Sequence, residues 1–406
     1  MKNKNRSKIP SDWGRVKLGE IGGFLKGNGL LKEQLSSKGI PCVRYGEIYT
    51  KHDTVIKNFG SFISKTIAKE SIEIKKNDIL FTGSGETRED IGKAVAYLKD
   101  EVAYAGGDII ILRPFVGVDS YYLSYALQSE DANCQKYKLG EGHSVVHIYP
   151  DELRTLQVPL PPLPEQKAIA AVISAWDKAI EATQKLIEQK ELRKKALMQQ
   201  LLSGKKRLKG FSGKWSRVTI NDIADDISIR NTSNDQLIVL SCTKYDGLVP
   251  SLEYFGRKIF SNDLSTYKVV PKNTFAYATN HIEEGSIGYQ RSYEKALISP
   301  MYTTFKTKDG IDNEFLFSVL KTHHSIHEYQ KRMEGSINRR GGLRWEEFSK
   351  IKVNIPSKME QSAINKLIMV AHKEIDLLRT KVKLLKDQKK GLMQKLLTGQ
   401  VRVKVK

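Results

Sequence analysis

Two stretches of the chain place apolar side chains every three and four residues, and each keeps this up for about forty residues. In the later one, Ile364, Ile368, Ala371, Ile375, Leu378, Val382, Leu385, Lys389, Leu392 and Leu396 follow that step, and nine of the ten are apolar. This is the pattern of a coiled-coil seam. The earlier stretch keeps the seam more loosely, through Ile169, Ile173, Trp176, Ile180, Thr183, Ile187, Lys190, Lys194, Leu197 and Leu201. Pro159, Pro161, Pro162 and Pro164 give a start signal before the first helix, and Gly204 and Gly399 supply stops that tolerate a left-handed backbone. Forty helical residues span roughly 60 Å. A seam of that length has to be covered, so the pattern predicts two long helices packed on each other, antiparallel, as a rigid spacer.

The two stretches are copies. They align without a gap at a spacing of 195 residues, Glu165-Gln166 on Glu360-Gln361 and Leu197-Met198-Gln199 on Leu392-Met393-Gln394, with fifteen of the forty positions from Glu165 to Gly204 identical. The duplication extends into the globular parts. Trp13-Gly-Arg-Val matches Trp215-Ser-Arg-Val at a spacing of 202, while Gly140, Ile148, Glu152-Leu153 and Val158 match Gly335, Leu343, Glu347-Phe348 and Val353 at 195. The frame is kept and the middles have diverged in length. Within them, short apolar runs bounded by turn residues predict strands at 78–83, 108–114 and 273–278, and aromatic-faced segments predict short helices at 121–127 and 314–320. The predicted fold class is therefore mixed α/β (α+β). Two globular domains, 1–160 and 205–355, are separated by long helices at 161–204 and 356–406 that pack as an antiparallel coiled coil.

Composition narrows the class. The 406-residue chain is long enough for two or three cores. A mean hydropathy of −0.42 and the absence of any apolar run near eighteen residues argue against a membrane span. The opening Met1–Gly14 has no apolar segment behind its basic residues, so no signal peptide is expected there. Cys42, Cys134 and Cys242 form no CxxC pair, which fits a reducing, cytoplasmic setting. The net charge of +21 is concentrated: residues 161–209 and 356–406 together hold +15 of it, and each globular part contributes only +3. That places an acidic partner or polyanion near the helices and makes basic patches on the globular parts local.

Candidate chemistry is mostly negative. Gly92-Lys93 is followed by Ala94 and lacks the glycine spacing of a phosphate-binding loop, and no methyl-donor motif is present. Pro150-Asp151 followed by Glu165-Gln166-Lys167 formally matches a nuclease pattern, but the second copy loses the lysine, and Glu165 and Lys167 have a helix's first turn to serve. His143 and His147, and His323, His324 and His327, lack the carboxylate or cysteine company of a metal site. No catalytic residue and no metal ligand is expected. What remains are polar, glycine-flanked loops of the kind that meet nucleic acid. In the first half the candidates are Lys26, Arg44, Tyr45, Ser84, Thr87, Arg88, His143 and Ser144. In the second they are Asn280, His281, Ser336, Asn338, Arg339, Arg340 and Arg344. Such side chains can pair with base edges, and glycines let backbone approach phosphate.

Taken together, the run Pro159-Leu-Pro-Pro-Leu-Pro-Glu-Gln-Lys167, the ending Lys194-Lys-Ala-Leu-Met-Gln-Gln-Leu-Leu-Ser-Gly204 with its echo at Lys389–Gly399, and the opening Trp13–Ile21 resemble the specificity subunit of a type I restriction-modification system. The resemblance implies two target recognition domains, each reading half of a bipartite site in double-stranded DNA. The helices would set the spacing and dock two modification subunits, with restriction subunits joining through the complex. It implies no cofactor in this chain, S-adenosylmethionine and ATP with Mg being expected on the partner subunits. A specificity subunit of a fused methyltransferase-nuclease system, a self-contained DNA nuclease or methyltransferase, and a structural coiled-coil adaptor are the other readings the residues leave open.

Overall fold

The computed structural model describes residues 9–142, 144–334 and 342–405. The chain forms two compact units, one from residues 1–184 with 380–406 and the other from 185–379. Each is a mixed α/β body built against part of both long helices, Leu163–Leu202 and Lys358–Leu397.

In the first unit the central sheet has the order Gly22–Lys26, Ile109–Pro114, Ile79–Thr82, Ala94–Ala96, all antiparallel. Ile109, Ile110, Ile111 and Leu112 are all buried because the strand divides two cores. Ile110 and Leu112 face the core shared with the long helices, while Ile109 and Ile111 face the core shared with a second sheet. A strand covered on both faces reads as an unbroken apolar run, which is what made 108–114 legible. The second sheet has the order Ser61–Ile63, Ile40–Val43, Ala103–Ala105, Ile72–Ile74, with Ile40–Val43 parallel to Ala103–Ala105. Gly14–Lys17 pairs antiparallel with Gln157–Leu160, tying the opening of the unit to the residues that lead into the first long helix.

The second unit repeats the plan. Its central sheet runs Ala224–Asp226, Tyr302–Thr307, Thr274–Ala278, Ile287–Gln290, and Ser216–Thr219 pairs with Lys352–Ile355 ahead of the second long helix. Its core is aromatic: Phe275 stacks on Phe305 at 4.8 Å between ring centres, and Phe348 lies tilted against Tyr277 at 4.6 Å and Phe305 at 5.5 Å. The predicted short helices form as Ser120–Ala126 and Asn313–Leu320, capped by Asp119 and Asp312.

The two long helices pack antiparallel within each unit. In the first, Ile169 and Ile173 share a core with Leu396 and Leu397. In the second, Leu197 and Leu201 meet the cluster that holds Ile364 and Ile368. Ile180, Ile375 and Val382 are buried; Trp176, Ile187, Leu378 and Leu385 are half-buried. The lysines that interrupt the seam are each paired. Lys389 Nζ donates to Asp177 Oδ1 at 2.5 Å, Lys190 pairs with Glu374 at 2.5 Å, and Lys194 Nζ lies 2.9 Å from His372 Nδ1.

Each helix start is clamped in the same way. Trp13 Nε1 donates to Glu165 Oε2 at 3.0 Å, and Arg402, just past the second helix, grips Glu165 at 2.7 and 2.8 Å. In the other unit Trp215 Nε1 donates to Glu360 Oε2 at 3.2 Å, and Arg207, just past the first helix, grips Glu360 at 2.6 and 2.7 Å. The next residue closes the loop before a short helix: Gln166 Oε1 accepts from Asp119 N, and Gln361 Oε1 from Asp312 N, both at 2.8 Å. Glu165→Ala leaves the buried Trp13 indole N–H without an acceptor, a loss of about 1–3 kcal/mol. Denaturant unfolding followed by tryptophan fluorescence is expected to show it, with Glu165→Gln losing less because it keeps an acceptor.

Candidate nucleic-acid interface

Several sequence candidates of the first unit come out at one end of its two sheets. Lys26 ends its strand, exposed, and the next residue, Gly27, donates its N–H to Ile109 O at 2.8 Å. Gly106 N donates to Val43 O at 2.8 Å, which places Arg44 beside the same turn, and Gly83 N donates to Asp108 O. Tyr45 is exposed at the start of the helix Tyr45–Thr50. Arg44 is half-buried, its Nε donating to Ser61 Oγ at 3.0 Å.

The loops 82–88 and 140–147, far apart in sequence, are joined. Ser84–Gly85 pairs with Val146–His147, Ile148 N donates to Gly83 O at 3.0 Å, and Arg88 Nη2 donates to Gly142 O at 3.4 Å. Ser84 turns inward, buried, with Oγ 3.0 Å from His147 Nδ1, so it shapes the loop from beneath. Thr87 is exposed and donates to Asp90 Oδ2 at 2.9 Å; Ser144 is exposed; His143 lies outside the described residues. Below the loops, Thr82 Oγ1 donates to the Tyr49 hydroxyl at 2.7 Å, and Lys93 Nζ donates to Tyr49 O at 3.3 Å. Tyr49 and Lys93 carried no signal in the sequence, since their role comes from long-range packing alone.

The second unit builds the corresponding corner. The strand Thr274–Ala278 runs into the loop 279–285, where Asn280 and His281 are exposed. Leu343 N donates to Thr279 O at 2.9 Å, the counterpart of Ile148 on Gly83, and this brings Arg344, exposed, beside that loop. Ser336, Asn338, Arg339 and Arg340 lie outside the described residues. His281, Glu283 and Glu284 bring ligand atoms within 4.8 Å of one another on this loop, largely open to solvent. His323, His324 and His327 fall on the helix His323–Glu334 and join no such group among the described residues.

The nuclease-like match does not assemble. Asp151 is solvent-exposed in the short helix Pro150–Thr155, whereas Glu165 is buried and held by Trp13 and Arg402.

Residues 10–192 match the family described as the type I restriction modification DNA specificity domain. Two proteins of Methanocaldococcus jannaschii that bear the names of type I restriction enzyme specificity subunits, MjaX and MjaVIII, are 28% and 24% identical to this chain. Each alignment spans 98% of this chain and 95% of the relative. Along nearly its whole length the chain is thus similar to specificity subunits of type I restriction enzymes. A solved S subunit from M. genitalium superposes over 98% of both chains with a TM-score of 0.54 at 17% identity, so the likeness of fold extends over both units of this chain. Among its described residues no helix is long and apolar enough to cross a membrane.

One buried cation underlies the first unit's loops. Lys136, on the helix Glu130–Leu139, is buried, and its Nζ donates to Gly92 O at 3.0 Å between the two loop segments. Burial pushes its pKa down to about 7. The free side chain titrates near about 10.4, so between these values the unfolded chain binds the extra proton. Stability of the protein is therefore expected to rise as pH climbs from about 7 towards 10. In urea titrations at several pH values, Lys136→Met should flatten that slope and raise the midpoint at neutral pH.

Proposed function

We propose that this chain is the specificity subunit of a type I restriction-modification system and reads a bipartite site in double-stranded DNA, one half with each unit. The observation that carries the reading is the shared corner. Ile148 closes onto Gly83 and Leu343 onto Thr279 through the same backbone hydrogen bond, at equivalent places in the duplicated frame, while the side chains displayed there differ. A common frame with different polar loops is what two independent readers need. Methyl transfer and cleavage belong, in this reading, to modification and restriction subunits, which hold S-adenosylmethionine and ATP with Mg. The occupation of Glu165 by its structural partners supports a chain without cleavage chemistry of its own.

The same reading gives the helices two tasks. They set the number of unread base pairs between half-sites, and they dock two modification subunits. Met369, Val370 and Leu377 stand 44%, 65% and 61% exposed on the second long helix, share one face with Lys366 and Lys373, and offer a mixed apolar and basic face to an amphipathic partner helix.

Exchanging residues 13–158 for the equivalent segment of another specificity subunit is expected to change one half of the methylated sequence and leave the other. Methylome sequencing in cells that supply the modification subunit reads this directly, and alteration of both halves would overturn independent reading. The spacing role has its own test. The first long helix runs unbroken through Gln184. Four residues inserted after it add roughly 6 Å and about 40° beyond a full turn, which keeps the seam nearly in phase. The expected methylome has unchanged half-sites and an altered spacer, while a one-residue insertion, rotating the seam by about 100°, abolishes modification.

A further inference from the structure

A motif at the end of one strand recurs in the second unit, outside the polar loops. Ile40-Pro-Cys-Val-Arg-Tyr45 is matched by Leu240-Ser-Cys-Thr-Lys-Tyr245 at a spacing of 200, between the 202 and 195 of the flanking frame. The two strands run beside corresponding neighbours, with the pairing three residues out of step with the sequence match. Cys42 pairs in parallel with Tyr104, in the strand that precedes Ile109–Pro114; Val239 bridges in parallel to Leu297, in the strand that precedes Tyr302–Thr307. Each strand thus ends in a basic residue followed by a tyrosine.

In the second unit the pair sits at a hairpin tip, between Leu240–Thr243 and Gly247–Pro250. Tyr245 is 80% exposed, and the Lys244 ammonium lies 5.5 Å from its ring centre. The tip is fixed from below. Lys321 Nζ donates to Lys244 O and to Gly285 O, both at 2.7 Å, which latches the hairpin to the loop that carries Asn280 and His281. Gly288 leaves no room for a side chain, since a Cβ there would stand 2.5 Å from Leu248 N, so the hairpin lies backbone against backbone on Ile287–Gln290. Gly247 takes φ +70° to close the turn. The acidic group at the tip, Asp246, accepts from the Tyr254 hydroxyl at 3.3 Å.

We propose that Lys244 and Tyr245, at the tip of this hairpin, contact duplex DNA. A ring this exposed gains nothing from the protein's own core, yet the tip is held rigid beside the loop already assigned to DNA. Lys244 supplies charge to a phosphate, and Tyr245 a flat apolar face with a hydroxyl for a sugar or base edge. The proposal rests on the reading that each unit binds DNA.

The test uses the full chain co-expressed with the modification subunit of its system, and a pool of 40-base-pair duplexes with randomised sequence. A photoreactive p-benzoylphenylalanine at position 245 is expected to crosslink the bound duplex, and the same group at Val116, exposed in the first unit, serves as background. On duplexes selected from the pool, Tyr245→Ala is expected to weaken binding about tenfold and to relax the second half-site only. Lys244→Ala should weaken all sequences alike and reduce the salt slope by about one. Binding of the pool without crosslinking above the Val116 background, or variants that keep both affinity and selected sequence, would overturn the assignment. Failure of the unsubstituted complex to select any duplex is a separate outcome, which removes the DNA-reading proposal itself and this one with it.

Discussion

The buried carboxylates Glu165 and Glu360 are where the architecture is tied together. Each accepts from an indole that opens its globular part and from an arginine that follows the other long helix, so three segments distant in sequence meet on one side chain. A carboxylate held this deeply is costly unless its lone pairs are used, and here an indole N–H and a forked guanidinium use them. The clamp explains why tryptophan, glutamate and arginine recur on the duplicated frame: Arg207 and Arg402 stand 195 residues apart, as Glu165 and Glu360 do. Losing the glutamate removes the acceptor that the indole and the guanidinium share. The adjacent glutamines extend the constraint, each bridging the loop before a short helix to the backbone at Pro161 or Pro356.

Beyond these fixed points the seam between the helices is not uniformly apolar. Lys190, Lys194 and Lys389 occupy seam positions and answer Glu374, His372 and Asp177 across the pair. Such pairs contribute little to stability at half-exposed positions, but they penalise other registers, because a shifted helix would bury an ammonium against an aliphatic face. The frame can thus hold its length and phase while the globular inserts change, and the inserts have diverged in length here.

Much of the fold was legible because two periodicities carry it. The three-four seam, read as helices at 161–204 and 356–406, gave the first to within two residues of Leu163–Leu202 and the start of the second to within two of Lys358; the second helix ends at Leu397, short of 406, because the backbone turns left-handed at Gly399. The buried runs gave strands at Ile79–Thr82, Ile109–Pro114 and Thr274–Ala278. The sheet order was not legible, since strands 80 or more residues apart pair through contacts that leave no local pattern. The loop candidates divided for a similar reason. Composition marks a polar loop but cannot distinguish a serine that faces solvent from one, such as Ser84, that turns under the loop to meet His147. The joining of 82–88 to 140–147 depends on a two-residue pairing far too short to be read from propensity.

Lys321 shows the same limit from the other side. Nothing in its surroundings on the helix edge distinguishes it from a solvated lysine, and its meaning lies in two carbonyls contributed by segments 77 and 36 residues away. An ammonium has three donors and no preferred plane, so it can satisfy carbonyls that approach from unrelated directions, which a guanidinium's fixed fork does less readily. Side chains of this sort let loops of variable sequence be held against an unchanging sheet. The surface residues can then diverge without disturbing the core, because the contacts that fix the loops go to backbone atoms, which every sequence supplies.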